Sequence, residues 1–179
     1  MKKAILFVVV ICFATAARTQ YKPWEQGSSL KFTIKNIGFG VDGSFSGFEG
    51  NINFDPQNLN NSKFDVTIDA ATVNTGNSLR DEHLRGDNYF DVKGNPRIRM
   101  VSTRILNSNR AGTFFFNGEL TIRGKSQAIS FPFTASPVSD GYVFSGSFKI
   151  KRKDFGVGGT STISDELEVT LSVTAKKQA

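Results

Sequence analysis

The ionisable side chains that could do chemistry are concentrated in residues 80–85, Arg-Asp-Glu-His-Leu-Arg. His83 is the only histidine of the chain, so acid–base catalysis near neutral pH would depend on it. Only Asp87 stands at helical spacing from it as a second metal ligand. No Gly-x-Ser-x-Gly motif marks a nucleophile. The sequence therefore predicts no catalytic residue, metal site or cofactor, and an enzyme acting on a lipid-like substrate around His83 is kept as an alternative.

The same segment has a second interpretation as a binding site. A guanidinium donates paired hydrogen bonds to phosphate or carboxylate groups, so Arg80, Asp81 and His83 are candidates for holding a polar or anionic head group. A solvated short helix is the simpler interpretation of the same residues.

Arg152 and Asp154 form another charged pair of interest. They share the inward parity of Phe148 and Ile150 if that strand continues regularly. Charges at such positions must lie at an open end or pair with each other. We expect a structural ion pair, and keep both residues as candidates for the head-group site.

Two other patterns are discounted. Residues 38–43, Gly-Phe-Gly-Val-Asp-Gly, match the dinucleotide fingerprint formally, but they lead into another strand and not into a helix, so we expect a glycine turn. The basic residues are interleaved with Asp and Glu, which argues against a nucleic-acid partner.

The elements that position these residues are strands. Beyond Tyr21, apolar residues recur at every second position and polar residues stand between them, as in Leu167, Val169, Leu171 and Val173. About eight such strands are separated by turn residues such as Asp140-Gly141. Gly47 lies between Phe45 and Phe48, which differ in parity, and predicts a β-bulge.

One apolar face per strand must be hidden from water, and a closed antiparallel barrel does this without leaving edges. A two-sheet sandwich is the alternative. An outer-membrane barrel would face its apolar residues outward, but Lys and Glu along the other face of the strands disfavour it. The bulky residues expected to point inward are Phe32, Phe45, Phe54, Phe64, Phe114, Phe116, Phe131, Phe133, Phe144 and Phe148.

The alternation stops between Asn74 and Phe90. Here a short helix is predicted from Ser78 to Gly86, with Ser78 as its N-cap and Gly86 as its stop. The segment near 78–90 is a candidate lid over one end of the barrel.

The first 17 residues resemble a cleaved signal peptide. Lys2 and Lys3 precede an apolar run that ends in Ala14-Thr15-Ala16, so we expect a single domain over residues 18–179 and a periplasmic or secreted location. Cleavage removes Cys12, the only cysteine, and lowers the formal net charge from +6 to +4. A basic exported protein is suited to transient contact with anionic membrane surfaces, although ordinary solubility also explains the charge.

Several motifs stand in the order found in the YceI-like family. They are residues 44–50 (Ser-Phe-Ser-Gly-Phe-Glu-Gly), 80–84 (Arg-Asp-Glu-His-Leu), 89–92 (Tyr-Phe-Asp-Val), 118–124 (Gly-Glu-Leu-Thr-Ile-Arg-Gly) and 152–158 (Arg-Lys-Asp-Phe-Gly-Val-Gly). The chain resembles that family from about Ser28 to Ala175. The resemblance implies an extended, lipocalin-like barrel, exported by bacteria, that binds a polyisoprenoid or isoprenoid quinone along its lumen; some members are dimeric.

On that resemblance we expect an apolar amphiphile among the ten inward phenylalanines, with its head group near Arg80, Asp81, His83, Arg152 or Asp154. Such a protein would carry, store or sequester the lipid. The alternative is that the same rings fill the barrel, giving a stress-response or interaction protein without a ligand.

Overall fold

The computed structural model describes residues 19–160 and 162–178. Eight antiparallel strands close into one barrel, in which each strand pairs with its sequence neighbours and the last pairs with the first. The strands are β1 (Gln20–Asn36), β2 (Phe39–Asn53), β3 (Lys63–Asn74), β4 (Arg97–Asn107), β5 (Thr113–Ile122), β6 (Lys125–Val138), β7 (Gly141–Lys151) and β8 (Ile163–Lys177). The predicted all-β antiparallel barrel is confirmed. The predicted signal peptide and Cys12 lie outside the described residues.

Three short helical elements join the strands. The helix α1 (Ser78–Arg85) lies between β3 and β4, and 3-10 turns occupy Leu59–Asn61 and Arg152–Phe155. The predicted helix and its stop at Gly86 are confirmed, but its N-cap is Asn77, not Ser78, because the Asn77 side chain accepts a hydrogen bond from the Arg80 backbone N–H. In the part of the chain that the structure describes, no helix is long and apolar enough to cross a membrane.

The alternating apolar residues face the lumen. Along β5, Phe114, Phe116, Leu120 and Ile122 are buried, whereas Phe115 between them is exposed. Removing each large apolar side chain from water contributes about 1.5–3 kcal/mol, so the alternation determines which face of each strand is inside.

The connections define two ends of the barrel. We call the end that carries the β1–β2 hairpin, α1 and the β7–β8 connection the upper end. The lower end carries the β2–β3, β4–β5 and β6–β7 connections and the start of β1. Buried side chains form one cluster toward each end. The lower cluster is rich in aromatic rings, and the upper one contains mostly aliphatic residues with Phe45 and Phe155.

Glycines adjust the barrel wall at specific points. Gly47 has a φ of 72° and lies where the β2–β3 register shifts, between Ser46 and Glu49, so the predicted bulge is confirmed. The Gly38 expected in a turn closes the two-residue β1–β2 hairpin with a φ of 82°. Its neighbour Ile37 also has a positive φ, of 50°, which is strained for a β-branched residue.

The first strand is longer than the sequence pattern indicated. Its first half, from Gln20, pairs with β8 and with the end of β2, as in Tyr21 with Lys177 and with Ile52. The register then shifts before Leu30. Pro23 and Gly27, whose φ is 83°, interrupt the alternation there, which is why this part of the strand is not evident from period-two spacing.

Candidate ligand-binding site

The upper half of the lumen is hollow. A cavity of about 160 Å³, the upper cavity, lies beneath α1 and the residues that follow it. Its walls come from every strand except β6, from the β7–β8 connection, and from the residues between β3 and β4, of which we call 78–90 the α1 segment. The lining side chains are almost all apolar: Leu30, Phe32, Ile34, Val41, Phe45, Ile68, Leu84, Tyr89, Phe90, Ile98, Leu120, Ile122, Phe148, Ile150, Phe155, Val157, Ile163, Leu167 and Val169. Four polar residues, Asn36, Thr75, Arg80 and Arg152, complete the lining.

A second, smaller cavity of about 90 Å³, the lower cavity, lies further down the barrel. Five of the ten predicted phenylalanines, Phe64, Phe116, Phe131, Phe133 and Phe144, line it, and Phe148 borders both cavities. Phe32 and Phe45 line the upper cavity. Eight of the ten predicted rings therefore border open space.

The remaining two predicted rings, Phe54 and Phe114, border neither cavity. Phe54 packs edge-on against Phe114, Tyr142 and Phe144, with centroid distances of 5.2, 5.2 and 5.3 Å. Tyr21 packs edge-on against Tyr142 at 5.5 Å, and burial raises the pKa of the Tyr21 hydroxyl. We call Tyr21, Phe54, Phe114 and Tyr142 the aromatic plug. The lumen is thus filled at its lower end and hollow above.

The α1 segment is fastened to the end of β3 by hydrogen bonds at Thr75. The Asp81 carboxylate accepts from the Thr75 backbone N–H at 2.9 Å and from its hydroxyl at 2.5 Å. Arg80 donates from Nε to Thr75 Oγ1 at 2.7 Å and from Nη2 to the Thr75 carbonyl at 2.8 Å. Phe90 packs edge-on against Phe45, with ring centroids 5.3 Å apart. The segment is therefore an ordered cover for the upper cavity.

Of the five predicted head-group residues, Arg80 and Arg152 line the upper cavity. The half-buried Arg80 has no hydrogen bond from Nη1 among the described residues, so this nitrogen is available to a ligand. Asp81 is buried and directed to Thr75, whereas His83 and Asp154 are exposed and line neither cavity. The structure brings the two arginines to the cavity and leaves His83 and Asp154 outside it.

The expected Arg152–Asp154 ion pair is wrong. Strand β7 ends at Lys151 and the chain turns into a 3-10 helix, so the inward parity does not extend to Asp154. Among the described ion pairs, none joins the two residues. The buried Arg152 guanidinium instead donates to the main-chain carbonyls of Val157, Gly159, Ile163 and Ser164. Arg152 thereby holds the β7–β8 connection at the rim of the cavity.

Some cavity residues were not identified from the sequence. Leu84, Tyr89 and Phe90 follow no alternation, because they belong to the α1 segment, and Phe155 and Val157 lie in the β7–β8 connection. The signal for these residues in the sequence was that both segments, the α1 segment and the β7–β8 connection, interrupt the alternation of the strands. Within residues 19–160 and 162–178, no group of three His, Cys, Asp or Glu side chains is arranged to hold a metal ion.

A family model with the description YceI-like domain matches residues 21–175. The chain belongs to the YceI-like family. The match includes every strand almost completely, so family membership covers the barrel and both cavities.

Two relatives are similar to this YceI-like chain over nearly its whole length. A UPF0312 protein of Pseudomonas aeruginosa is 31% identical over 173 residues, which covers 91% of this chain and 90% of the relative. A UPF0312 protein of Serratia proteamaculans is 27% identical over 189 residues, covering 97% and 96% of the two chains.

Solved structures share the fold. BcnA of Burkholderia cenocepacia matches with a TM-score of 0.79 and 26% identity, covering 84% of this chain and 98% of that one. The YCEI protein of Campylobacter jejuni matches with a TM-score of 0.67 and 31% identity, covering 78% and 85%. A polyisoprenoid binding domain from Saccharophagus degradans, implicated in plant cell wall breakdown, matches with a TM-score of 0.69 and 15% identity, covering 88% and 98%; at that identity the match concerns the fold alone.

Proposed function

We propose that this protein binds one apolar amphiphile of the polyisoprenoid or isoprenoid-quinone type, with its chain in the upper cavity and its head group at the mouth beside Arg80. The observation that carries the proposal is a lumen closed below by the aromatic plug and hollow above, with a nearly apolar lining. Removing apolar surface from water contributes about 25 cal/mol per Å², which provides the driving force. The polyisoprenoid binding domain with the same fold supports this ligand class.

The polar residues at the mouth support the orientation of the ligand. Of the two arginines that line the upper cavity, Arg80 is the one whose Nη1 has no hydrogen-bond partner among the described residues, and charge-assisted hydrogen bonds are stronger than neutral ones. The lower end of the lumen is closed by the packed rings of the aromatic plug. A head group therefore belongs at the upper end, and an anionic one is favoured.

The test is a titration of the purified protein with a fluorescent prenyl probe. Ile150 lines only the upper cavity, so Ile150→Trp fills that space. We expect saturable binding of one probe per chain and an affinity at least about tenfold lower in Ile150→Trp, a difference of about 1.4 kcal/mol. Leu106→Trp, on the exposed outer surface at the lower end, serves as the matched control with unchanged affinity. Absence of saturable binding, or equal affinity in Ile150→Trp, contradicts the proposal.

The proposed role is binding without catalysis, for carriage, storage or sequestration. His83, the residue that motivated the enzyme alternative, is exposed and lines neither cavity, which supports a binding role. If lipid extracts incubated with the protein are chemically altered and His83→Ala abolishes the change, the enzyme alternative replaces this one. The other alternative is a barrel that side chains fill completely, and only the packing of the aromatic plug at the lower end of the lumen supports it.

We also propose that the protein acts outside the cytoplasm, as the signal-peptide pattern of residues 1–17 indicates, and that its upper end touches membrane surfaces. Three large apolar side chains project there: Ile37 and Phe39 on the β1–β2 hairpin, exposed by 71% and 77%, and Leu79 on α1, exposed by 78%. They flank the mouth of the upper cavity, since Asn36 and Arg80 line it. A homodimer of this chain, which the dimeric members of the family suggest, stays a prediction.

Ile37 allows a test of this membrane contact. Asn tolerates a positive φ in a two-residue hairpin turn better than Ile does, so Ile37→Asn should stabilise the fold while weakening co-sedimentation with anionic phosphatidylglycerol vesicles. Val138→Ser, at an exposed apolar position at the lower end, is the control that leaves vesicle binding unchanged. Equal vesicle binding of the two variants contradicts the contact.

A further inference from the structure

The lumen is divided at one level of the barrel. The upper and lower cavities meet at the same five side chains, which form the partition between them: Leu30, Ile68, Ile98, Leu120 and Phe148. Four of these are aliphatic and one is an aromatic ring. The side chains of the partition therefore decide whether a ligand chain reaches only the upper cavity or both cavities.

Phe148 is the ring of the partition; it packs against the buried residues of both clusters, and its one aromatic contact among the described ring pairs is a stack. Its ring lies on that of Phe131, with centroids 4.5 Å apart and planes 25° apart, and Phe131 in turn stacks on Phe116 at 5.1 Å. Among the described ring pairs, Phe148 has no other partner. Phe54 in the aromatic plug, by contrast, packs against five rings. Phe148 is also only half-buried.

The volumes of the two cavities are small compared with the volume of a prenyl chain. An apolar protein cavity of about 150 Å³ holds one benzene molecule, so the upper cavity of about 160 Å³ holds roughly one isoprene unit. The lower cavity of about 90 Å³ adds less than that. A longer chain needs the two chambers to be joined or must leave part of itself at the mouth.

We propose that Phe148 is the floor of the upper cavity and sets the length of chain that the protein holds, an inference that rests on the proposed function. With the ring on Phe131, each further isoprene unit stays at the mouth and adds little affinity. When the ring leaves its stack, the chain continues into the lower cavity, as far as the rings above the aromatic plug. Phe148 is thus a specificity-determining residue, and it neither contacts the head group nor depends on its chemistry.

Phe32 provides a matched control for the substitution of Phe148. It is also a half-buried phenylalanine, but it lines the upper cavity only and packs against Phe45 at 5.6 Å. Phe32→Ala therefore enlarges the upper cavity without removing the partition, whereas Phe148→Ala joins the two cavities. Both variants delete the same atoms from the same kind of position.

The experiment compares the affinities of prenol, geraniol and farnesol, which have one, two and three isoprene units, measured by displacement of a fluorescent prenyl probe. The quantity of interest is the gain in affinity from prenol to geraniol, because the second isoprene unit is the one that the lower cavity would receive. We expect Phe148→Ala to raise that gain at least about tenfold over wild type, because burying one more isoprene unit removes several methylene-sized groups from water. Phe32→Ala should raise the gain by a clearly smaller factor, because it adds the volume of one ring to the upper cavity but does not give the chain access to the lower cavity.

The outcomes separate this inference from the proposed function. An equal gain in wild type and Phe148→Ala overturns the role of Phe148 alone. A wild-type protein that binds none of the three alcohols, nor the probe, overturns the proposed function and the length limit with it. If Phe148→Ala is unfolded by circular dichroism, Phe148→Leu, which keeps most of the volume but removes the stack, should raise the gain in the same direction by a smaller factor, and no rise overturns the inference.

Discussion

The close approach of Phe32 to Gly43 gives a sharp test of the upper cavity wall. The two residues pair across β1 and β2, and a Cβ added at Gly43 would lie 2.2 Å from the Phe32 Cζ atom and 2.6 and 2.9 Å from its Cε atoms. Ordinary contact begins near 3.4 Å, so in Gly43→Ala the ring must retreat by roughly 1 Å. The open space beside it is the upper cavity.

Overpacking of a protein core costs about 1–3 kcal/mol. Because the upper cavity can receive the displaced Phe32 ring, we expect Gly43→Ala to lower the free energy of unfolding by about 1 kcal/mol, at the lower end of that range. The displaced ring also takes up ligand space, so probe affinity should fall as well. Urea unfolding followed by intrinsic fluorescence measures the first effect, and probe titration the second.

Two variants make this result decisive. Gly40→Ala, on the same strand, places its Cβ 3.8 Å from the Thr33 Cγ2 atom, so its free energy of unfolding should stay within about 0.5 kcal/mol of wild type. In a Phe32→Leu background the effect of Gly43→Ala should largely disappear. If Gly43→Ala is as silent as Gly40→Ala, or if Phe32→Leu does not relieve it, the ring does not lie over Gly43 and the described wall is wrong.

Three further predictions concern the plug, the outer surface and the mouth. Phe54→Ala should lower the free energy of unfolding by about 3–5 kcal/mol, because the Phe54 ring packs against five others in and beside the aromatic plug. A loss below about 1 kcal/mol in urea unfolding would contradict that packing. The Arg99 guanidinium hydrogen-bonds the Asp65 carboxylate and holds its pKa below the ordinary value, so this pair stabilises the fold above about pH 4 and the stabilisation is lost as the pH falls through the lowered pKa. Asp65→Asn should therefore cost less than about 1 kcal/mol at pH 7 and nothing in acid, and a deficit that persists at low pH would refute the assignment. Arg80→Met should weaken binding of dimethylallyl phosphate, which has one isoprene unit, about tenfold and leave prenol within about threefold by probe displacement, whereas equal losses for both ligands would place the head group elsewhere.

The barrel was predictable because the alternation of apolar and polar residues that produces it is visible within each single strand. Alternation such as that of Leu167 to Val173 requires one buried face, and the bulge at Gly47 follows from the parity change between Phe45 and Phe48. The first half of β1 was not predictable, because its pairing is with β8 and the end of β2. Ser78 was preferred as the N-cap from residue type, but Asn77 also has a capping side chain and only the backbone geometry separates them.

The inward-pointing residues that line the site were predictable from the sequence, but the volume of the cavities was not. Period-two spacing identifies which rings point inward, yet it is the same for Phe148, which borders both cavities, and for Phe114, which borders neither. That difference depends on how rings from distant strands pack together. The Arg152–Asp154 prediction failed for a related reason, because it assumed that the parity of β7 continues past Lys151.

The central claim is that a single amphiphile occupies the hollow upper half of the lumen. Native mass spectrometry of the protein purified from its own host, followed by lipid extraction, tests it most directly. The account predicts one stoichiometric apolar amphiphile with a prenyl-type chain, present in wild type and Leu106→Trp and depleted in Ile150→Trp. A protein that is recovered empty from its host and takes up no prenyl lipid when supplied with one would contradict it.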